Sequence, residues 1–391
     1  MSSNDKDHSY KLLGKRMAWA LGYVPLINVP VTLPADTSSR AGTDLTDADV
    51  FGFRFSASGS VSRLLIDCKT TSGRAVDRVL WVKGLQSVLN VEELYLFKKK
   101  IPNSARWLAH ELTVNCVDEA ELNELDARLG LSRLKGPYFD GTGYKSIESL
   151  LAFSKGSEYR ALTQFLTTGI WMLKPANRVL TLLSVGHQKN LYQKLRPDDP
   201  AHTCLVLLAA RALAISLGLL VSNLNVVDVL RVEERLREEL HGGAESLAQK
   251  ERFASAIQRL TGESDNDQAL DHKDFSSLLE EVNRLLIRRY ALNDAIRITD
   301  LALHYFAAGA GTLPRHLSGS DSKLSAKMAS DILALFVKSN SLDIGFSRAI
   351  IGLLATAQDA TSDQSEEPRF DGLAKGDQFS LLAPLPPLED H

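Results

Sequence analysis

The hydrophobic period of this chain changes near residue 145, and that change limits its fold more than any other feature. Before it, short apolar runs alternate with segments at helical spacing. HSYKLLGKRMAWALG, 8 to 22, reads as a helix ending at a glycine, and PLINVPVTL, 25 to 33, as a strand limited by prolines. Residues 34 to 47 are polar and turn-rich. ADVFGFRF and SRLLIDCKT read as two strands of a hairpin with its turn in SASGS. A helix over about 75 to 90, a strand ELYLF, a helix SARWLAHEL, a strand LTVNCVD and a helix EAELNELDARLG follow. This is an α/β pattern over residues 1–135. Beyond 145 the strand signals nearly vanish. Long helical patterns run through FLTTGIWMLKPANRVLTLLSVG, TCLVLLAARALAISLGLLVS and SSLLEEVNRLLIRRYALNDAIRITDLALHYFAAG, and predict a larger all-α domain over 145–357. From 358 to 391 the chain is acidic and contains prolines, a composition that predicts a disordered tail.

With 391 residues there is ample material for a core. Residues 1–135 hold 18 Lys and Arg against 16 Asp and Glu, and the remainder 27 against 32 (45 − 18 and 48 − 16), so the helical part is the acidic one. The net charge of −3 gives no global footprint for nucleic acid, although a local patch suffices for binding. Cys68, Cys116 and Cys204 form no CxxC and are odd in number, which favours buried thiols in a reducing compartment. MSSNDKDHSYK lacks an apolar leader core. The most membrane-like run, LVLLAARALAISLGLLV at 205 to 221, contains Arg211 and is shorter than the ~20 residues a span needs, so it reads as a buried core helix. The expectation is a cytoplasmic protein without a membrane segment. No P-loop, HExxH, zinc spacing or GxSxG motif is present.

The chemistry concentrates in LLIDCKT. An apolar strand that carries Asp67 and Lys69 needs a reason, because a buried charge is costly unless paired or metal-bound. Residues two apart in a strand share a face, so Asp67 and Lys69 lie together while Ile66 and Cys68 face the other way, toward the core. If the hairpin pairs as drawn, Asp49 comes close to Asp67, and the turn before it offers Asp44 and Asp47. Two carboxylates at one point want a cation, and oxygen ligands suit Mg²⁺ or Mn²⁺. Such an ion activates water and neutralises charge on a phosphodiester, and a nearby lysine orients the nucleophile. The plain alternative is a strand-edge ion pair, with Asp44 and Asp47 as turn residues.

TDADVFGF followed by LLIDCKT resembles the PD-(D/E)xK nuclease superfamily, the restriction-endonuclease-like fold. The order helix, strand, hairpin, helix, strand is similar, and DRVLWVKGL and IPNSARWLAHEL resemble segments of bacterial restriction and anti-phage defence nucleases. The resemblance covers about the first third of the chain. It implies a small mixed sheet flanked by helices, with Asp49 and Asp67 as metal ligands, Lys69 as the catalytic lysine and the Cys68 carbonyl completing the metal shell. It also implies substrate contacts from the next helix, with Arg78, Lys83 and Gln86 as candidates, and cleavage that leaves a 5′-phosphate. The expected activity is Mg²⁺-dependent hydrolysis of nucleic acid, with DNA favoured over RNA and a partner protein or self-association through the helical part. One departure stands out. Many members carry a glutamate on the first helix, and here that helix offers Lys11, Lys15 and Arg16 but no acid. Either two carboxylates suffice, or Asp44 or Asp47 substitutes, or activity is weakened and the fold serves as a binding module. Lys98, Lys99 and Lys100 read equally as a phosphate grip or a solvated loop, and Trp81 and Trp107 as packing residues.

Overall fold

A computed structural model describes residues 3–33, 43–69, 73–184, 192–224, 231–261, 272–314 and 322–356. Its N-terminal part is a small mixed sheet with helices. Helix α1 (Ser3–Ala20) leads into strands β1 (Val24–Leu33), β2 (Thr43–Phe55) and β3 (Val61–Lys69). Then come α2 (Ala75–Leu89), β4 (Glu93–Lys98), α3 (Asn103–Glu111), β5 (Asn115–Val117) and α4 (Glu119–Leu129). The five strands lie in chain order, β1-β2-β3 antiparallel and β3-β4-β5 parallel. The parallel pairs need crossovers, which α2 and α3 supply. Pro25 and Pro30 fall on the edge strand β1, where a missing backbone donor interrupts the ladder least.

Every element expected in the first third is present, with shifted ends. The largest shift is at β2, which starts at Thr43 and pairs with β1 as far as Leu33↔Thr43. Asp44 and Asp47 therefore lie in a strand and not in a turn. Pairing with an edge strand has outweighed the turn-rich composition. The rest of the expected polar stretch, 34–42, and the expected tail lie outside the described residues.

The sheet is covered on both faces. Val50, Leu64, Ile66 and Cys68 pack with Met17 and Ala18 of α1 and Leu122 of α4. Gly14 lets α1 approach closely, since a Cβ there would sit 3.2 Å from Val50. Phe51, Phe53, Leu65, Leu94 and Leu96 face the opposite way, against Val79, Val82 and Leu85 of α2 and against the helical part. β3 is thus a central strand buried on both faces, as its unbroken apolar run implied.

The larger part is helical: α5 (Thr142–Leu151), α6 (Arg160–Thr167), α7 (Pro175–Ser184), α8 (Pro200–Leu224), α9 (Val232–His241), α10 (Ala244–Thr261), α11 (Phe275–Ile287), α12 (Arg289–Ala307), α13 (Ser322–Ser339) and α14 (Ile344–Ala355). From Thr203 to Val221 every residue of α8 is buried except Arg211, so its apolar length is covered by protein. α8 is the one helix among the described residues long and apolar enough to cross a membrane.

The pattern change near 145 marks a change of architecture but not of compact unit, which extends from Met1 to Gln358. One core runs from Phe51 and Phe53 of the sheet to Leu213 and Leu217 of α8. Gly218 of α8 admits Phe55 so closely that a Cβ would lie 2.8 Å from its ring. Asn293 of α12 accepts from the Phe55 N–H at 3.1 Å and donates to the Gly22 carbonyl at 3.0 Å. Arg297 donates to the Trp19 carbonyl at 3.0 Å and lies over its ring at 3.8 Å.

The same junction holds a buried polar cluster. Asp300 of α12 accepts from the Tyr138 hydroxyl at 2.6 Å and from Arg211 at 3.1 Å. This explains the one charge in the apolar run of α8. Lys15 of α1 is 0% exposed, and its ammonium has no hydrogen-bond acceptor among the described residues. It rests on the Tyr138 and Tyr144 rings at 3.3 and 4.4 Å. Burial pushes Lys15 well below its ordinary value. Burial, helped by Lys15 and Arg211, does the same to His304.

Candidate active site

The site begins where β2 and β3 part. Their pairing runs from Phe55↔Val61 to Val50↔Ile66, and beyond it the Asp49 carboxylate takes the next donor, the Cys68 N–H, at 2.8 Å. A side chain has replaced a rung of the ladder, which ties Asp49 to the residue beside Asp67. Asn28, opposite in β1, has φ +55°, a conformation asparagine tolerates better than most residues. The alternation of buried faces breaks there. Val24 and Leu26 before it and Val29 and Val31 after it all join the same core, as do Ala48 before Asp49 and Phe51 after it. At that break the Asp49 carboxylate is held between the Cys68 N–H of β3 and Lys11 of α1.

The two acids are 5% and 3% exposed, and each has its own cation. Lys11 of α1 donates to the second Asp49 oxygen at 2.7 Å and to Asn28 at 2.7 Å. The Arg78 guanidinium of α2 grips Asp67 with two nitrogens, Nε at 2.6 Å and Nη2 on the other oxygen. This is the bidentate geometry that makes arginine–carboxylate pairs strong. Burial still pushes the Asp67 carboxyl up from its ordinary value, with Arg78 pulling it back and Asp49 adding to the rise. The Cys68 thiol, buried in the core under α1, is pushed well above its ordinary value by burial first, with Asp49 and Asp67 adding to the rise. All three cysteines are free thiols.

The structure brings together Asp49, Asp67, Cys68, Lys69 and Arg78. It does not bring Lys83 and Gln86 to them. α2 runs back from the site, and Gln86 lies eight residues beyond Arg78, ~12 Å along the axis. There it donates to the Val91 carbonyl, just before β4 starts, and Lys83 donates to Thr113 at 3.3 Å. Asp47 is two residues before Asp49 and exposed, and Asp44 is placed by its backbone pairing with Thr32. Among the described residues no three His, Cys, Asp or Glu side chains are grouped to hold a metal ion.

Two features were missed in the sequence, Lys11 and the exposure of the tryptophans, and a third, Lys98, was read there only as one of a basic triplet. Lys11 reaches Asp49 from the first helix, where an acid was sought. Lys98 ends β4 beside Lys69, in register with it, and is buried, whereas Lys99 and Lys100 are exposed. Burial, then the nearby Arg78, lowers Lys98 from its ordinary value. Trp81 and Trp107 are 40% and 68% exposed, so neither is a core packing residue. Lys69, Gly73, Arg74, Asp77, Arg78, Trp81 and Lys98 line a groove of about 380 Å³. Four of those side chains are basic and one is acidic. The spacing that could have shown this is Arg78 and Trp81, i and i+3 on α2, with Arg74 at the residue just before the helix.

The chain matches no family model, no curated protein and no solved structure.

Proposed function

We propose that this chain is a Mg²⁺-dependent endonuclease of the PD-(D/E)xK kind, acting on nucleic-acid phosphodiesters with DNA favoured, in bacterial anti-phage defence or restriction. One observation carries the reading. Asp49 reaches the backbone of Cys68, so two buried carboxylates lie on neighbouring strands, with Lys69 two residues beyond Asp67 and a basic groove lined by Lys69 and by Arg78, the partner of Asp67.

The donor set suits a hard dication in kind. Asp49, Asp67 and the Cys68 carbonyl offer oxygen only, which is what Mg²⁺ and Mn²⁺ take. A dication bound there supplies charge neutralisation and a more acidic water. The protein's own residues do the rest. Lys69 holds the attacking water and donates to the developing negative charge. Arg74 and Lys98 hold the phosphate in the groove. Arg78 and Lys11 balance the two acids, and transfer of Arg78 from Asp67 to a substrate phosphate would free the carboxylate. The acidic helical part is left to bind a partner protein or a second copy of the chain.

A second reading has one observation in its favour. Each acid is already matched by a cation, and α1 contributes Lys11 where an acid was sought. On that reading the fold binds nucleic acid or a partner without effective chemistry. Cleavage assays on supercoiled plasmid, linear duplex, single-stranded DNA and RNA with Mg²⁺, Mn²⁺ or EDTA separate the two. The nuclease reading expects metal-dependent cutting that Asp67→Ala abolishes and Lys69→Ala lowers by about a hundredfold or more. Binding that survives Asp67→Ala, with no cutting under any condition, supports the second.

A further inference from the structure

We infer that Trp81 is a base-stacking platform and that the groove selects nucleotides that are not in a duplex. This rests on the reading of the groove as a nucleic-acid site and names its substrate class. Large aromatic side chains dominate cores, and one left 40% exposed beside four basic side chains needs a reason. Trp81 lies three residues beyond Arg78, ~4.5 Å further along α2, so a base on it is within about one nucleotide of the carboxylates.

The Arg78 guanidinium, bonded to Asp67 in the protein without substrate, lies 5.9 Å from the Trp81 ring centre. The indole therefore stands beside the side chain that pairs with the acid near which the scissile phosphate would lie. The charges around it fit a phosphate backbone. Arg74 is exposed at the start of α2, whose first turn has no side-chain cap, so backbone N–H groups add to the positive end. Lys69 and Lys98 form the floor. Phosphate attraction alone does not discriminate between strands, because every nucleic acid carries it. Stacking does, since a base inside a duplex has both faces covered by its neighbours. Cations along a groove with an aromatic face in it are the arrangement that serves single strands. The other exposed apolar residues of α2, Leu80 and Val88, are outside the groove lining, so the tryptophan is set apart from them by its surroundings.

The test is binding by fluorescence anisotropy, with the full chain in EDTA so that nothing is cut. Labelled single-stranded DNA, the same sequence as a blunt duplex, and single-stranded RNA serve as probes, with the wild type beside Trp81→Ala and Trp81→Phe. The expectation is a single-strand preference of at least about tenfold in the wild type. Trp81→Ala should lower single-strand affinity by about 10- to 100-fold and change duplex affinity by less than about threefold, while Trp81→Phe keeps most of the preference. The DNA and RNA arms identify which unpaired strand is taken. A duplex bound as tightly as the single strand, an equal loss for both in Trp81→Ala, or no binding by any probe overturns the inference. The nuclease reading fails separately. A protein that stacks single strands through Trp81 but never cleaves removes that reading and keeps this one, and Asp67-dependent cutting indifferent to Trp81 does the reverse.

Discussion

Two groups of buried charges are reached from one face of α1, by Lys11 and by Lys15 one turn further on, and they are balanced in opposite ways. At the sheet end, Asp49 and Asp67 each have a dedicated cation, both partly solvent-exposed, and one of those cations, Arg78, lines a groove. At the junction, Asp300 alone serves Tyr138 and Arg211, while Lys15 and both ring nitrogens of His304 lack a hydrogen-bond partner among the described residues. The first group has movable counter-charges and an approach from solvent. The second has neither, and it is wrapped in aromatic rings and packed helices. Buried charge of the first kind is suited to exchange partners, and buried charge of the second kind to fix how two layers meet. Asp67→Asn tests this most severely. On the nuclease reading it should lower metal-dependent cleavage about a thousandfold while the melting temperature moves little, because Arg78 can turn to solvent. Equal activity in a plasmid-nicking assay would remove the distinction.

At the junction the same kind of change should act on stability instead. Asp300→Ala strands Arg211, Lys15 and the Tyr138 hydroxyl together, and urea unfolding should show a loss of about 3–5 kcal/mol. Lys15→Met keeps the stem and removes the ammonium. Because burial already disfavours the charged form, this variant should gain about 1–4 kcal/mol. A loss there would mean that the contact with the two tyrosine rings outweighs desolvation.

Glu281 of α11 gives the smallest test, a buried acid with one weak partner, Arg284 at 3.5 Å. Burial first, then Asp331, raise it to about 7 in the folded chain. A carboxyl whose folded value lies above its unfolded one favours the folded state when protonated. Its contribution is complete below the unfolded value of 4.5 and is lost as the pH rises through about 7. Glu281→Gln should therefore flatten the stability profile between those limits and stabilise the chain at pH 8 by about 1–2 kcal/mol, read from chemical denaturation at a series of pH values.

The sequence made the first third legible because each strand there has its own periodicity and each turn its own residues. The central position of β3 followed from Leu64, Leu65 and Ile66. The approach of Asp49 to Asp67 followed from counting back along a hairpin. What failed depended on partners distant in the chain. Thr43 to Asp47 look like a turn until β1 lies beside them. Trp81 and Trp107 look like core because helical spacing gives a face without saying whether anything covers it. Lys11 and Lys15 read as an ordinary basic helix, yet one reaches an acid across the sheet and the other is sealed beneath Tyr138. Lys83 and Gln86 were nominated with Arg78 because they share its helix, and the direction of α2 carries them away.

Asn293 has a consequence in time. Its amide receives the Phe55 N–H from 238 residues earlier and holds the Gly22 carbonyl as well. A ribosome adds about 5–20 residues per second, so the hairpin that carries Asp49 and Asp67 waits roughly 10–50 s before the helix that seals it emerges. Through that interval the sheet lacks the cover that α12 gives it, and for most of it that of α8, so its aromatic face is open to chaperones or to other nascent chains. Synthesis therefore runs from the candidate site to its clasp, and a chain cut short before α12 would carry every residue of that site with no finished surface to hold them.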